Sequence, residues 1–241
     1  MKRVSQGSGW KRFMALGCSH GNFADPEAIA AVLKFKKDFK PHRVIHLGDF
    51  IDLSAFMGGT DGEGEKVRPD LDAGLEFLRQ LEPTDVLAGN HEDRLWRDLR
   101  SKNELRILAA ETAIEEIQTT VLKLHAQFYP YSGVWQKMQI ANYIFTHGTV
   151  YGENAPRDMA EMYGNVIFAH THKTGQMTGR RIDCPQGISV GTLTRKGALD
   201  YAKNRRATLS WSQGIVYGEY NDTHLHPILH SQNPDSKWRI S

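Results

Sequence analysis

The chain has 241 residues, of which 40% are hydrophobic and 24% charged, and a formal net charge of +2. That composition excludes a disordered or fibrous chain, and the length accommodates one large domain able to bury a core without staples. The small net charge excludes an argument for nucleic-acid binding from charge alone.

Two cysteines, Cys18 and Cys184, do not make a disulfide framework, and a reducing compartment fits them. No apolar run approaches the ~20 residues of a membrane span. Lys2 and Arg3 ahead of Phe13 to Cys18 superficially look like a secretion signal, but the apolar part is too short and Lys11-Arg12 abut it. The expectation is a cytoplasmic protein with no membrane contact.

Met1 to Gly9 reads as a loose leader. Phe13 to Leu16 is the first strand and runs into a small-residue loop, Gly17-Cys18-Ser19-His20-Gly21-Asn22. Asp25 and Pro26 start a helix as N-cap and first helical residue, with Ile29, Val32, Leu33 and Lys36 at helical period. Arg43 to Leu47 is the second strand, ending at Gly48-Asp49-Phe50-Ile51-Asp52. A Gly- and acid-rich loop from Gly58 to Lys66 follows. Pro69 opens a second helix with Leu71, Leu75 and Leu78 on one face, and Pro83 closes it. Thr84 to Ala88 is the third strand, ending at Gly89-Asn90-His91-Glu92-Asp93. Strand, loop and helix three times over predicts an α/β core with parallel strands. In such folds ligand residues gather at the carboxyl ends of strands.

The stretch at about 94–125 reads as a helical insertion within one domain spanning 1–241. Its apolar marks are Leu95, Trp96 and Leu99, then Leu105, Leu108, Thr112, Ile117, Val121 and Leu124. Tyr129 to Gly133 is a turn. Gln139 to Phe145 is strand-like and ends at Thr146-His147-Gly148. Asn154 to Tyr163 reads as a helix. The buried-strand run Val166-Ile167-Phe168-Ala169 then opens into His170-Thr171-His172. Short β-like runs at Ile188 to Val190, Thr208 to Trp211 and Ile215 to Tyr220 predict a more antiparallel second half.

A lone His-x-His is weak evidence and equally describes two surface histidines. The case rests on repetition, since Cys18 and His20, Asp49 and Asp52, Asn90 and His91, and His147 precede it, each cluster at the end of an apolar run. This mixed set of imidazole, carboxylate, amide and thiol groups suits Zn, Fe or Mn better than Ca or Mg. It exceeds one tetrahedral site and is about enough for two ions, with Asp49 the natural bridging carboxylate.

In order and spacing these clusters resemble the calcineurin-like metallophosphoesterases, whose pattern is Asp-x-His, Gly-Asp-x-x-Asp, Gly-Asn-His-Glu/Asp, an isolated His and Gly-His-x-His. The resemblance spans Cys18 to His172 and implies a four-layer sandwich of two mixed β-sheets flanked by helices. It implies a first metal held by Cys18, His20, Asp49 and His172, and a second held by Asp49, Asn90, His147 and His170. His91 would face the leaving group, oriented by a hydrogen bond to the Asp52 carboxylate. Two departures stand out. Ala169 replaces the usual Gly, and Cys18 replaces Asp. A thiolate at Cys18 biases its site toward Zn or Fe. The alternative is a non-ligand Cys18, with a weakened first site or a single metal.

Between Lys173 and Arg206 eight Lys and Arg residues face only Asp183 and Asp200. Arg195 and Lys196 are the expected phosphate contacts. This basic stretch favours a phosphodiesterase or nuclease acting on DNA, RNA or nucleotides. A small-molecule phosphomonoesterase and a non-catalytic metal-binding scaffold are the competing readings. Glu92 and Asp93 read as ordinary helix-start acids, His46 as a core residue, and Trp96 and Trp211 as core aromatics.

Overall fold

The fold was analysed in a computed structural model that describes residues 9–57, 66–199, 202, 206–232, 238 and 240. The leader up to residue 8, the acidic loop at 58–65 and several basic positions, including Lys203 and Arg205, lie outside the described residues.

Two mixed sheets face each other. The first contains β1 (Lys11–Leu16), β2 (Arg43–His46), β3 (Asp85–Leu87), β4 (Gln127–Tyr129), β10 (Gln213–Tyr220) and β11 (Leu225–Gln232), ordered β11-β10-β1-β2-β3-β4. The second contains β5 (Met138–Ile140), β6 (Tyr143–Thr146), β7 (Val166–Phe168), β8 (Thr174–Thr178) and β9 (Gln186–Val190), ordered β5-β6-β7-β9-β8. β1 to β4 are parallel neighbours, and so are β6, β7 and β9. β5, β8, β10 and β11 pair antiparallel. The four-layer sandwich expected from the sequence is therefore the fold.

Helices α1 (Pro26–Phe39), α2 (Val67–Leu81), α3 (Asp93–Asp98) and α4 (Glu104–Lys123) cover the first sheet, and α5 (Ala155–Tyr163) covers the second. Apolar side chains from both sheets, including Phe13, Ile45, Leu87, Phe145, Ile167 and Ile188, form the core between them. Asp25 caps α1, its carboxylate accepting the Glu27 and Ala28 N–H groups at 2.9 and 3.4 Å. The buried face of α1 is Ala28, Val32 and Phe35, shifted slightly from the expected one.

Several expectations are corrected. α2 begins at Val67, before Pro69; the missing proline N–H falls in the first turn, where no intrahelical partner exists. The run Gln139 to Phe145 is two strands, because Ala141 turns the chain with φ 50° and Met138 pairs back onto Phe145. Thr208 to Trp211 is not a strand; Arg206–Ser210 is a 3-10 turn. The stretch at 94–125 forms α3 and α4, which connect the parallel neighbours β3 and β4. On α4 the core side is Ala110, Ala113, Ile114, Ile117 and Val121, while Leu105 and Leu108 are 77% and 60% exposed. In the first half of α4 the core-facing places are taken by small alanines, so the larger leucines there do not mark its buried face.

Candidate metal centre

The parallel strands β1, β2, β3, β6 and β7 end on one edge of the sandwich, and their following loops carry the expected residues. Backbone bonds zip the first two loops together: Cys18 N donates to Gly48 O at 2.9 Å and His20 N to Asp49 O at 3.0 Å. Cys18, His20, Asp49, His170 and His172 all have φ between 52° and 64°. Such left-handed backbone costs non-glycine residues roughly 1–3 kcal/mol each and is concentrated at functional sites. Ala169 is outside that region, so the small residue there carries no conformational penalty.

Three donor groups result. Cys18, His20, Asp49 and His172 place one ligand atom each within 4.8 Å of one another, as do Asp49, His147 and His170, and likewise His20, Asp52 and His91. Asp49 joins the first two groups. Its Oδ2 lies 3.8 Å from His20 Nε2 and 3.2 Å from His147 Nε2. Asn90 Oδ1 lies 3.0 Å from His147 Nε2 and 2.9 Å from His170 Nδ1. The seven residues expected to ligate metal are thus gathered in one place.

The chemistry of the set fits cations. His147 Nδ1 donates to Leu47 O at 2.7 Å and His20 Nδ1 donates to Asp52 Oδ1 at 2.8 Å. Each bond fixes the tautomer and turns an unprotonated Nε2 into the site. His20 Nε2 and His172 Nε2 lie only 2.9 Å apart. His172 Nδ1 is buried without a hydrogen-bond partner, and its ring packs on Trp211 at 4.2 Å. Burial lowers the His20 and His172 pKa values and brings His170 down to about 4, keeping these imidazoles neutral. Burial, with the Asp49 charge beside it, pushes the Cys18 thiol well up. Asp49 is held well below the usual range despite its burial, because His147, His91 and His20 surround it.

His91 meets the backbone of Asp52 as well as its carboxylate. Its Nδ1 donates to the backbone carbonyl of Asp52 at 2.5 Å, while the Asp52 carboxylate is 3.3 Å away and closer to His20. Asp52 therefore serves two imidazoles, and Ser54 Oγ also bonds its carboxylate. His91 is raised in pKa, since Asp49 and Asp52 outweigh the effect of burial.

Four residues that sequence reasoning passed over build the frame. Glu92 is fully buried, and its carboxylate accepts N–H groups from Asp49 at 2.8 Å, Ile51 at 3.0 Å and Gly89 at 2.7 Å. Asp70 of α2 accepts from Leu53 at 2.7 Å and Asp52 at 3.1 Å. The Gln136 amide donates to Ala88 O at 2.8 Å and accepts from His147 N at 2.9 Å, tying the two sheets together at the site. Arg94 donates to Asp52 O at 2.7 Å and to His91 Nε2 at 3.2 Å. The sequence signal for Glu92 is its place two residues after Asn90, a place that also suits an ordinary helix start. A Cβ at Gly48 would sit 2.6 Å from Gly89 N, and one at Gly89 would overlap Asp49 Oδ1, so glycine is required where these loops cross.

Arg195 and Lys196 point to different cavities. Arg195 lines a cavity with Lys66, and Lys196 lines a different one with Trp211. Trp211 is half-buried against His172 rather than in the core. His46 is a core residue as expected, bonded to Gly48 N and Ser19 Oγ.

The profile of the calcineurin-like phosphoesterases matches residues 11–174, which contain every donor named above. The chain belongs to this family. It is accordingly a phosphoric ester hydrolase, of a metal-dependent family, with a His/Asp cluster able to hold metal. It is also similar to the gene 54 proteins of Mycobacterium phage D29 and Mycobacterium phage L5, at 25% identity each, with 91% of this chain and 92% of each phage protein covered. Among solved structures, an archaeal phosphodiesterase is similar over 91% of this chain and 99% of that one, at 14% identity and TM-score 0.47. No helix among the described residues is long and apolar enough to cross a membrane.

Proposed function

We propose that this calcineurin-like phosphoesterase is a phosphodiesterase acting on nucleic acid or nucleotides through a dinuclear metal centre bridged by Asp49. The observation that carries this reading is the shared carboxylate, whose Oδ2 lies between His20 Nε2 at 3.8 Å and His147 Nε2 at 3.2 Å. Cys18, His20, Asp49 and His172 would hold one ion, and Asp49, Asn90, His147 and His170 the other. Zn, Fe or Mn suit these donors, and Mg suits them less well. When bound, the ions supply Lewis acidity at the phosphoryl group and an activated water.

The protein's own groups do the rest. His91, held through Nδ1 by the Asp52 carbonyl, would turn Nε2 toward the leaving group, where as the imidazolium, released from Arg94, it hands over a proton or stabilises charge. Arg94 beside His91 Nε2 adds positive charge where the ester oxygen develops negative charge. Arg195 and Lys196, exposed on the segment that follows β9, supply cationic contacts for a polyanionic substrate. A cytoplasmic location accords with the two free cysteines.

The test is hydrolysis of bis(p-nitrophenyl) phosphate, p-nitrophenyl phosphate and a single-stranded oligonucleotide, with Mn, Zn, Fe or Mg added, across a salt series. The reading expects faster diester than monoester turnover, and oligonucleotide cleavage that falls steeply with salt. Good monoester turnover with flat salt dependence would overturn the substrate assignment.

A further inference from the structure

Beside the metal centre lies a cavity of about 210 Å³ that none of the metal donors lines. It opens between the loop after His20 and the loop after Asp52. Leu53, Ser54 and Asp70 form its buried floor, and Phe23, Lys66 and Arg195 its rim. The volume greatly exceeds the ~10–15 Å³ that admits one water, and it has room for a sugar-phosphate.

Among the described residues its lining carries two cations, Lys66 and Arg195, against one acid, Asp70. Asp70 is the floor's acid, but its carboxylate is turned onto the N–H groups of Asn22, Asp52 and Leu53 at 2.7–3.3 Å. Neither Lys66 nor Arg195 forms an ion pair among the described residues. Arg195 is fixed in place, its Nη2 donating to Asn22 O at 2.8 Å and its backbone N–H to Phe23 O at 2.9 Å. Lys66 comes from a different part of the chain, directly ahead of α2. Among the described residues, two cations thus converge from separate elements on a cavity whose one lining acid is already satisfied by backbone donors, next to two loops of the metal centre.

We propose that this cavity is a second anion subsite, which takes the phosphate one step along the substrate from the phosphoryl group being cleaved. The inference rests on the phosphodiesterase reading and sharpens it. It assigns the enzyme to substrates carrying a second phosphate, such as a strand or a nucleoside bisphosphate ester, over isolated diesters. Phe23 and the apolar wall give the sugar between the two phosphates a surface to lie on.

The experiment compares the p-nitrophenyl ester of thymidine 5′-phosphate with the same ester carrying a 3′-phosphate. In the wild type the added phosphate raises kcat/KM by about ten-fold, the scale of one charge-assisted contact. In Lys66→Ala that gain shrinks to under about three-fold, and in Lys66→Glu it disappears. Arg195→Lys, which keeps the charge without disturbing the Asn22 loop by truncation, retains part of it. An equal gain in wild type and Lys66→Glu overturns the subsite.

Calorimetric binding of thymidine 3′,5′-bisphosphate against thymidine 5′-monophosphate, in wild type and Lys66→Ala, supplies a readout without turnover. A bisphosphate preference that depends on Lys66, with neither ester hydrolysed, would keep the subsite and overturn the phosphodiesterase reading. Turnover of both esters with no bisphosphate preference would overturn the subsite alone.

Discussion

Glu92 holds Asp49 by its backbone: Glu92 Oε2 accepts the Asp49 N–H at 2.8 Å and, at 2.7 Å, the N–H of Gly89. One buried carboxylate thereby locks the loops after β2 and β3 into the crossing that aims Asp49 and Asn90. Burial, and then the Asp49 charge, push Glu92 up to about 7. Replacing Glu92 by Gln puts an amide N–H against backbone donors. We expect Glu92→Gln to lose about 1–3 kcal/mol of stability and to bind metal more weakly, measured by urea denaturation with and without added metal. An unchanged midpoint and metal affinity would show that the clasp is dispensable.

Gly17 and Ala169 are a matched pair. A Cβ built on Gly17 would lie 2.9 Å from Ala169 Cβ and 3.2 Å from Leu47 Cβ. Gly17→Ala should therefore destabilise by about 1–3 kcal/mol through overpacking. Gly17→Ala combined with Ala169→Gly should recover much of that loss, because the clash is between the two side chains. Thermal unfolding of the two single variants and the double variant gives the coupling. Additive effects would mean that the strain lies in the backbone and not in the contact.

His46 provides a pH signature. Burial depresses its pKa to about 3, and its Nδ1 accepts the Gly48 N–H at 3.2 Å, which protonation would oppose. The unfolded chain takes up a proton near pH 6.5 that the folded chain refuses, so this group costs stability as pH falls from 6.5 toward 3. The slope is at most about 1.4 kcal/mol per pH unit. His46→Gln removes the titration. The stability gap between wild type and variant should be widest at pH 7.5 and narrow steadily below pH 6.5. A gap independent of pH would contradict this.

Much of the site was legible because each donor follows an apolar strand and because metal chemistry restricts residue types. His20, Asp49, His147 and His172 announce themselves in that way. The frame was less legible, since Glu92, Asp70 and Gln136 act mostly on backbone groups distant in the chain, and only the place of Glu92 after Asn90 marks any of them. The strand order β7-β9-β8 and the return of β10 beside β1 were also hidden. The three-residue strands β3, β4, β5 and β7 are too short for a period to show. On α4 the pattern held at Ile117 and Val121 and misled at Leu105 and Leu108, because alanines take the core-facing places in the helix's first half.

In the proposed centre Cys18 would set the character of one metal position. Its thiol sits with His20, Asp49 and His172 within 4.8 Å. Bound as thiolate it favours softer ions. Cys18→Asp should keep turnover and move the preferred metal from Zn or Fe toward Mn, read from activity and metal content side by side. Unchanged metal preference would remove Cys18 from the ligand set.

The shared carboxylate is the centre of this account, and metal stoichiometry in Asp49→Ala tests it most directly. Elemental analysis of the wild type should give about two ions per chain, and Asp49→Ala should retain fewer than one while its circular dichroism stays that of the folded protein. Full metal content in folded Asp49→Ala, or full turnover by a wild type holding a single ion, would contradict a dinuclear centre bridged by Asp49.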